Sequence, residues 1–484
     1  MIRSEIVQIL WLQKEDPVKI LIPHPYLSEE DANASPSGAS ISAFNHVRAL
    51  SRHCEVYMPA EEPADYRDNV HGIPPAFETI ESSLQWFESQ EFDAVLMFEP
   101  NLDDLAFFRH VCPAPIVIRL SCCFGRNREF LNQALSCYSL LRPYDALSPK
   151  SAWCAEELAN TVFDASYLRP ITNGVDLEAF QSSDKPTARK EVAEATGDQR
   201  FLEMPIVGFC SRFEPAKGAY PFLRVADLNP DVLFAIVGQQ FAPVAHPTNV
   251  VFLGHQPYDR MPLYYNVLDV LCSLSVYSQE SCPSAILEGM ACGLPIVATR
   301  FAGAPKLLSD CGRMIEVTRF ENEPLDISGY VDPEVVSSSI RDLIDSKTGR
   351  EELGRQARER AEAFSWDRIG RQHIELIEEL QEKREQGNHP VPLTVHFAQG
   401  YDAKGNIHSI PKAFNYLGSQ QGPLPRIPFL HQDLSSLEGL GLFLSQVLHP
   451  NEVEAALLGV TGDREACHRA LRKIRQVGDM LIAP

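Results

Sequence analysis

Residues 279–299, with the sequence QESCPSAILEGMACGLPIVAT, contain the signals of a short helix followed by a buried strand. Pro283 suits the first turn of a helix, where its missing N–H group is not needed. Gly293 suits the position just past the helix end, and Pro295 prevents the helix from continuing. The pattern predicts a helix over about residues 283–292 and then a strand, a combination typical of α/β proteins.

The start of this helix is a candidate phosphate site. Amides at a helix N-terminus can hold phosphate oxygens, and here they belong to Cys282, Ser284 and Ala285. Glu280 precedes the helix and Glu288 lies between one and two turns into it, where a carboxylate can accept hydrogen bonds from two vicinal hydroxyls such as those of ribose. Two glutamates at this spacing recur by chance in an acidic chain, so the flanking Pro, Ser and Gly-Leu-Pro residues give the pattern its specificity.

Short apolar runs alternate with amphipathic segments along most of the chain, which is typical of parallel sheets covered by helices. The charged and small residues 182–198 divide two such sets and predict a linker. Two doubly wound halves place a ligand in the crevice at the carboxyl ends of their strands. Predicted strands cover residues 18–23, 55–58, 93–98, 115–120 and 144–147 in the first set, and 205–210, 232–237, 250–253, 270–274 and 295–299 in the second.

Composition excludes several classes of protein. The chain has 484 residues with 43 Lys and Arg against 65 Asp and Glu, which gives a net charge of −22 and argues against a nucleic-acid footprint. An apolar content of 44% fits a globular chain, and no run is long enough to cross a bilayer. The apolar stretch at residues 6–12 is flanked by Glu5 and Glu15 and lacks a small-residue cleavage site, so no signal peptide is expected. The 12 cysteines form no C-x-x-C pair, so free thiols in the cytoplasm are expected rather than a metal site.

A second candidate group follows a predicted strand. In residues 207–218, VGFCSRFEPAKG, the cations Arg212 and Lys217 lie on the loop at the carboxyl end of the strand. Two cations can neutralise a diphosphate and stabilise it as it leaves. Taken alone they would be interpreted as solvated surface charges. Together with the helix that begins near residue 283, they favour a phosphate site.

Gly38 is a third candidate, because it begins a helix after a strand and a long loop over residues 26–37. Loops between a strand and a helix usually run about two to six residues, so the extra length indicates a ligand-binding or mobile loop. A glycine there lets the backbone approach a phosphate or a sugar closely. A simple turn glycine is the alternative interpretation.

Together these segments resemble a retaining glycosyltransferase of the GT-B fold, specifically glycosyltransferase family 4, whose domain is called glycosyl transferases group 1. The resemblance covers residues 18–380. Glu280 and Glu288, with Pro283 and the Ala-Cys-Gly-Leu-Pro run at 291–295, match the family signature. Further matches in the family order are Arg212 with Lys217 and Gly218, the Asn-Gly-Val-Asp segment at 173–176, the strand-end glycines Gly238 and Gly254, and Phe364-Ser365-Trp366 at the start of the terminal helix.

The resemblance implies transfer of a sugar from a nucleotide-sugar donor, a UDP-sugar first and GDP-mannose second, to an acceptor of unknown class (glycan, lipid, small molecule or protein). Glu288 would hold the donor ribose, and Arg212 and Lys217 would stabilise the departing diphosphate without a metal or another cofactor. A front-face displacement would retain the anomeric configuration without a side-chain nucleophile. The implied catalytic residues are Glu280, Arg212 and Lys217, and the implied donor-binding residues are Gly38, Cys282, Pro283, Ser284, Ala285, Glu288, Gly238 and Gly254.

The implied domains are a Rossmann-like acceptor-side domain over residues 1–185, a Rossmann-like nucleotide-sugar domain over 186–365 and a helix that crosses back over 366–386. Residues 387–484 form an additional C-terminal module, predicted to be α+β, of unknown role. Its basic residues could dock on an acidic partner or on anionic lipid as a peripheral contact, or form a solvated face of the protein itself. These residues are Arg464, Arg469, Arg472, Lys473 and Arg475.

The chain departs from the family pattern at three places. Gly38-Ala39 replaces a frequent Gly-Gly pair, Ser121-Cys122-Cys123 stands where many members have a histidine, and Lys306 replaces a frequent glutamate. The second departure puts the sugar contact of that position in question. This change leaves a non-catalytic GT-B scaffold open as an alternative, and the other alternative is a GT-B nucleotide-sugar epimerase or hydrolase, which would turn over the donor without an acceptor.

Overall fold

The computed structural model describes most of residues 17–387. The described ranges are 17–23, 28–34, 38–59, 69–73, 85–87, 89–98, 105, 108–109, 112–120, 141–159, 164–240, 243–277, 280–319 and 329–387. The predicted C-terminal module with its basic cluster, and the Ser121-Cys122-Cys123 segment, lie outside the described residues.

Two parallel sheets of six strands form the framework, as the alternating pattern predicts. Each has the strand order of a doubly wound fold, β3-β2-β1-β4-β5-β6 in the first and β12-β11-β10-β7-β8-β9 in the second. The first contains β1 Lys19–Leu21, β2 Glu55–Pro59, β3 Val70–Ile73, β4 Ala94–Phe98, β5 Ile116–Leu120 and β6 Ala146–Pro149. The second contains β7 Ile206–Cys210, β8 Leu233–Val237, β9 Val250–Gly254, β10 Val270–Ser273, β11 Ile296–Thr299 and β12 Arg313–Ile315, and a separate pair is β13 Thr318–Arg319 with β14 Gly329–Tyr330.

Helices cover both sheets. In chain order they are α1 Glu29–Ala34, α2 Gly38–Leu50, α3 Ala152–Ala159, α4 Lys185–Thr196, α5 Arg200–Glu203, α6 Ala219–Asp227, α7 Met261–Asn266, α8 Ser284–Ala291, α9 Ala304–Leu308, α10 Pro333–Asp345, α11 Lys347–Ala361 and α12 Trp366–Gln386. The central strands are buried on both faces, for example every residue of β5 and β7, and they are therefore continuous apolar runs in the sequence.

The structure corrects two sequence predictions. The predicted linker contains helix α4, which begins after Asp184 accepts a hydrogen bond from the Thr187 backbone N–H and ends at Gly197. The loop predicted over residues 26–37 contains the short helix α1. In both segments polar and small residues hide the helical pattern.

Two edge strands, β3 and β12, were not predicted. In β3 the middle residues His71 and Gly72 are exposed, and β12 has only three residues, of which the first is exposed. Neither therefore forms the apolar run by which the central strands are recognised.

The terminal helix α12 returns to the first half of the chain, as the resemblance implies. Its side chains Ile369, Leu376 and Ile377 share one apolar core with α2 and the first sheet. At its start, the Trp366 backbone N–H donates to the Val175 carbonyl at 3.3 Å. The helix thus ties the two sheets together near the segment at residues 173–176, whereas the predicted domain boundaries themselves stay predictions.

Candidate active site

A cavity of about 330 Å³ lies between the two sheets, at the carboxyl ends of the strands of the second sheet. It is centred on β7 and β10, which are neighbours although the chain leaves them toward opposite edges of the sheet. Open α/β sheets bind ligands at this kind of switch point. Ten of the predicted site residues line the cavity: Gly38, Arg212, Lys217, Gly238, Glu280, Cys282, Pro283, Ser284, Ala285 and Glu288.

Glu280 and Lys217 form an ion pair in the cavity wall, with Nζ 2.5 Å from Oε2 and side chains only 13% and 14% exposed. The Ser275 hydroxyl donates to the same Oε2 at 2.7 Å. Burial tends to raise the pKa of Glu280, but Lys217 and Ser275 outweigh burial and hold that pKa below its ordinary value. Glu280 is therefore an ionised, firmly oriented carboxylate at neutral pH.

Arg212 is the more exposed cation, with its side chain 42% accessible and its Nη2 3.0 Å from Glu214 Oε1. Lys217 also lies over the ring of Tyr277, with Nζ 4.8 Å from the ring centroid. The two cations thus differ in mobility. Lys217 is fixed by its partners, whereas Arg212 can reorient toward a ligand.

Glu288 lies on the inner face of α8 and is only 7% exposed. The Tyr265 hydroxyl donates to its Oε2 at 2.6 Å. Burial raises the pKa of Glu288 to about 7, although the hydrogen bond from Tyr265 opposes part of this rise. Hydrogen bonds from ligand hydroxyls would stabilise the ionised form of this buried carboxyl group, since they replace the water that burial has removed.

Helix α8 begins at Ser284, one residue later than predicted, and Pro283 is its N-cap residue. Gly293 follows the helix with φ +70°, a conformation that glycine adopts without strain. The first residues of α8 line the cavity together with Cys282. The helix therefore directs its N-terminus, with its partial positive charge, into the cavity.

The two predicted strand-end glycines, Gly238 and Gly254, differ in whether they line the cavity. Gly238 lines the cavity, and a side chain there would collide with the Ser211 carbonyl, since a Cβ atom would lie 1.9 Å from that oxygen. Gly254 does not line the cavity and instead accepts a hydrogen bond from the Gly238 backbone N–H at 2.9 Å. Gly38 lines it from the first half of the chain, with open space where a Cβ atom would lie.

Several lining residues were not predicted, although most follow a strand directly. Gln239 comes after β8, His255 and Gln256 come after β9, and Lys150 comes after β6. Because ligands collect at the carboxyl ends of parallel strands, the strand-end rule could have found them. Asn173, the first residue of the Asn-Gly-Val-Asp segment, also lines the cavity, as do Tyr258 and Tyr265, which no sequence pattern distinguishes.

Contacts between the two halves surround the cavity. The Ser151 and Ser281 hydroxyl oxygens lie 3.2 Å apart, and His255 Nε2 lies 3.0 Å from the Ala34 carbonyl oxygen. Outside it, Lys306 pairs with Glu156 at 2.9 Å. The two halves therefore meet around the cavity through polar contacts, which leave it open to a ligand.

The described residues contain no cluster of three or more His, Cys, Asp or Glu side chains with the spacing of a metal site. All eight cysteines in the described ranges are free thiols. Among the helices that the structure describes, none is long and apolar enough to span a membrane.

Comparison with known proteins agrees with this geometry. Residues 197–360 match the family model described as glycosyl transferases group 1. This part of the chain is similar to the glycosyl transferases of group 1. It contains the helix α8, the cations Arg212 and Lys217 and both cavity glutamates.

Spore coat protein SA of Bacillus subtilis is 24% identical over 283 residues, which cover 50% of this chain and 71% of that protein. The D-inositol 3-phosphate glycosyltransferase of Mycobacteroides abscessus is 29% identical over 175 residues, which cover 33% of this chain and only 38% of that enzyme. Among solved structures, Anabaena Alr3699/HepE in complex with UDP superimposes with a TM-score of 0.57 at 16% identity, covering 75% of this chain and all of that one. The described part of the chain has the GT-B fold.

Proposed function

We propose that the protein is a retaining glycosyltransferase that uses a nucleotide-sugar donor, with a UDP-sugar as the first choice. One observation carries the proposal: a single cavity at the switch point of the second sheet combines a buried carboxylate, an oriented ion pair and a helix N-terminus. The group 1 domain and the glycosyltransferases among its relatives support it. UDP is the first choice because the structural neighbour HepE is described in complex with UDP.

Each part of a nucleotide sugar has a matching group in the cavity. The vicinal hydroxyls of the ribose would donate to Glu288, and the diphosphate would lie against the N-terminus of α8. Arg212 and Lys217 would face the diphosphate oxygens. Glu280, held by Lys217 and Ser275, would accept hydrogen bonds from sugar hydroxyls.

The charges of the cavity favour a front-face mechanism. The bond from the anomeric carbon to the β-phosphate oxygen breaks, the acceptor oxygen bonds to that carbon on the same face, and the acceptor proton passes to the departing phosphate. Lys217 and Arg212 stabilise the negative charge that develops on the diphosphate. Among the described lining residues the carboxylates are Glu280 and Glu288, and both are already engaged by other side chains. A front-face route needs neither as a nucleophile.

The anomer of the released sugar tests this proposal. Incubated with UDP-α-glucose, the protein should release UDP and α-glucose first, as followed by proton NMR before mutarotation, because slow transfer to water uses the same face. EDTA should leave the rate unchanged, since the cations and α8 supply the positive charge.

Other outcomes would point to the rival functions. Early β-glucose would contradict retention, and an isomerised nucleotide sugar would identify an epimerase. Binding of UDP-glucose without release of UDP, whether to water or to a panel of sugar, sugar-phosphate and lipid acceptors, would favour a scaffold.

A further inference from the structure

The side of the cavity contributed by the first half of the chain contains a side-chain amide, that of Asn173, which is only 6% exposed. Its Oδ1 accepts two hydrogen bonds, from Arg119 Nη2 at 3.2 Å and from the Ser42 hydroxyl at 3.1 Å. An amide oxygen has two lone pairs, so both are used. The oxygen end of this amide therefore faces the protein and is not free for a ligand.

The nitrogen end of the same amide is open. Within the described part of the chain Asn173 Nδ2 has no hydrogen-bond partner, and it is not among the enclosed polar atoms that lack one. Since Asn173 lines the cavity, its two side-chain N–H groups are accessible there. They can donate to a hydroxyl or carbonyl oxygen of a ligand.

Arg119 decides which end of the amide faces the cavity. Its guanidinium group has only donors, so it can hold the amide oxygen but not the amide nitrogen. The Ser42 hydroxyl can donate or accept, and it would tolerate either orientation. Arg119 also donates to Ser148 Oγ at 3.2 Å and to the Ile171 carbonyl. These bonds fix the guanidinium group to β6 and to the segment that leads to Asn173.

Stability does not account for this arginine. Arg119 is fully buried on β5, the acceptors of its hydrogen bonds are neutral, and its Nε has no partner. Within the described part of the chain no carboxylate pairs with it. A buried charge without an anion loses its hydration and gains little in return. The orientation of Asn173 gives the fold a reason to keep it.

Asn173 lies close to the N-terminus of α8. Burial raises the pKa of the Cys282 thiol, and a hydrogen bond from the Asn173 backbone opposes part of this rise. The charge of Glu280 acts on the same thiol, so Glu280 is also near. Cys282 comes two residues before Ser284, the first residue of α8, against which the donor diphosphate would lie. The amide is therefore near the proposed position of the diphosphate and of the sugar bonded to it.

We propose that Arg119 is a positioning residue that fixes the Asn173 amide, and that Asn173 Nδ2 donates to a hydroxyl of the donor sugar. The proposal rests on the proposed function and adds a specificity to it, a donor sugar with a hydroxyl group at this place. The Glu280 carboxylate can only accept and Asn173 Nδ2 can only donate, so a hydroxyl between them gives its proton to one and receives a proton from the other. A sugar that is deoxy at this carbon could make neither bond.

Isothermal titration with UDP and with UDP-glucose tests the proposal, because the affinity for UDP-glucose relative to UDP isolates the contribution of the sugar. Asn173→Asp keeps an oxygen for Arg119 and Ser42 but has no donor, and a hydroxyl that has given its proton to Glu280 has none left for the new carboxylate. The relative affinity should fall about three- to tenfold, the usual effect of one hydrogen bond. The added charge alone would act in the opposite direction, since UDP is more negatively charged than UDP-glucose. The melting temperature should not fall, because Arg119 gains an anion.

Arg119→Met tests the positioning role. Without the guanidinium group the amide can turn, so the relative affinity for UDP-glucose should fall in this variant too. In an Asn173→Ala background Arg119→Met should have no further effect on it, because Arg119 acts through this amide. Arg169→Met is the matched control: Arg169 also donates to two carbonyls, those of Ser166 and Leu168, but it does not bond to Asn173. Its relative affinity should equal that of the wild type.

The remaining outcomes separate this proposal from the proposed function. If the wild type binds neither UDP nor UDP-glucose, the donor site is refuted and this inference falls with it. If both bind, a relative affinity in Asn173→Asp within about twofold of the wild type would overturn only the sugar contact. A fall in Asn173→Asp but not in Arg119→Met would overturn the role of Arg119. An unchanged relative affinity with slower transfer to an added acceptor would show that the amide contacts the acceptor, and the assignment to the donor sugar would be wrong.

Discussion

Glu288→Gln should weaken binding of UDP-glucose by roughly 100-fold, which corresponds to about 2.7 kcal/mol. The variant keeps the shape of the side chain but loses a charged acceptor for two ribose hydroxyls, and hydrogen bonds to charged groups contribute about 1.5–3 kcal/mol each. Isothermal titration at pH 8 measures the change. An affinity within threefold of the wild type would contradict the role of Glu288.

The pH dependence of binding gives a sharper form of the same prediction. The pKa of Glu288 is raised to about 7, so the carboxylate that accepts from ribose is fully formed only above that pH. Affinity for UDP-glucose, whose diphosphate does not titrate near pH 7, should therefore rise between pH 6 and pH 8 in the wild type and stay flat in Glu288→Gln. Tyr265→Phe removes the hydrogen bond that lowers this pKa, so it should move the midpoint to higher pH.

As the pH rises, the stability of the ligand-free protein should fall, whereas its affinity for UDP-glucose should rise. Because the folded-state pKa of Glu288 lies above its ordinary value of 4.5, its contribution to stability is complete below pH 4.5 and is lost as the pH rises through about 7. The loss is about 3 kcal/mol for a shift of this size. Glu288→Gln should therefore be at least as stable as the ligand-free wild type at pH 8 in urea unfolding. If misfolding caused the binding defect, Glu288→Gln would instead be less stable than the ligand-free wild type at pH 8.

Lys217→Met should lower the turnover number by roughly 100- to 1,000-fold, the usual effect of removing one group that stabilises a developing charge. Glu280→Gln should have a similar effect, and the double variant should lose much less than the product of the two, because the residues act as one pair 2.5 Å apart. UDP release from UDP-glucose under saturating donor measures each rate. Multiplicative losses would show that the two groups act independently.

The pH dependence of stability distinguishes the pair of Lys217 and Glu280 from an ordinary surface ion pair. In the wild type the net lowering of the Glu280 pKa stabilises the fold at neutral pH, and this contribution is lost as the pH falls through that pKa. In Lys217→Met burial dominates and raises the pKa of Glu280, so the destabilisation should grow as the pH rises from 4 to 8. Lys190→Met, which affects an exposed pair, should show no such trend.

The sequence predicts the parts of this molecule in which local pattern and tertiary structure agree. The β5, β7 and β8 strands are buried on both faces, so their apolar runs are continuous, and the proline and glycine around α8 set its ends to within one residue. The helix α4 and the edge strands β3 and β12 were missed because they are polar or short and depend on their neighbours.

The side of the cavity that the second half of the chain contributes could largely be predicted, whereas on the side contributed by the first half the predicted site residue was Gly38. Glu280, Glu288 and Lys217 belong to segments with recognisable spacing, and the fold brings them together in one cavity. Lys150 belongs to no motif, although it directly follows β6, and Arg119 is placed near it by the pairing of β5 with β6, where Arg119 lies opposite Ser148. A buried arginine in an apolar run has no recognisable function until its neighbours are known.

The central claim is that a nucleotide sugar binds in this cavity through Glu288. Its most direct test is thermal unfolding of the wild type and Glu288→Gln across a panel of UDP, GDP, UDP-sugars and GDP-mannose. A ligand at 100 times its dissociation constant adds about 2.7 kcal/mol to the stability of the protein that binds it. We predict that one nucleotide and its sugars raise the melting temperature of the wild type and that this increase is largely lost in Glu288→Gln. No increase with any nucleotide, or equal increases in both proteins, would contradict the account.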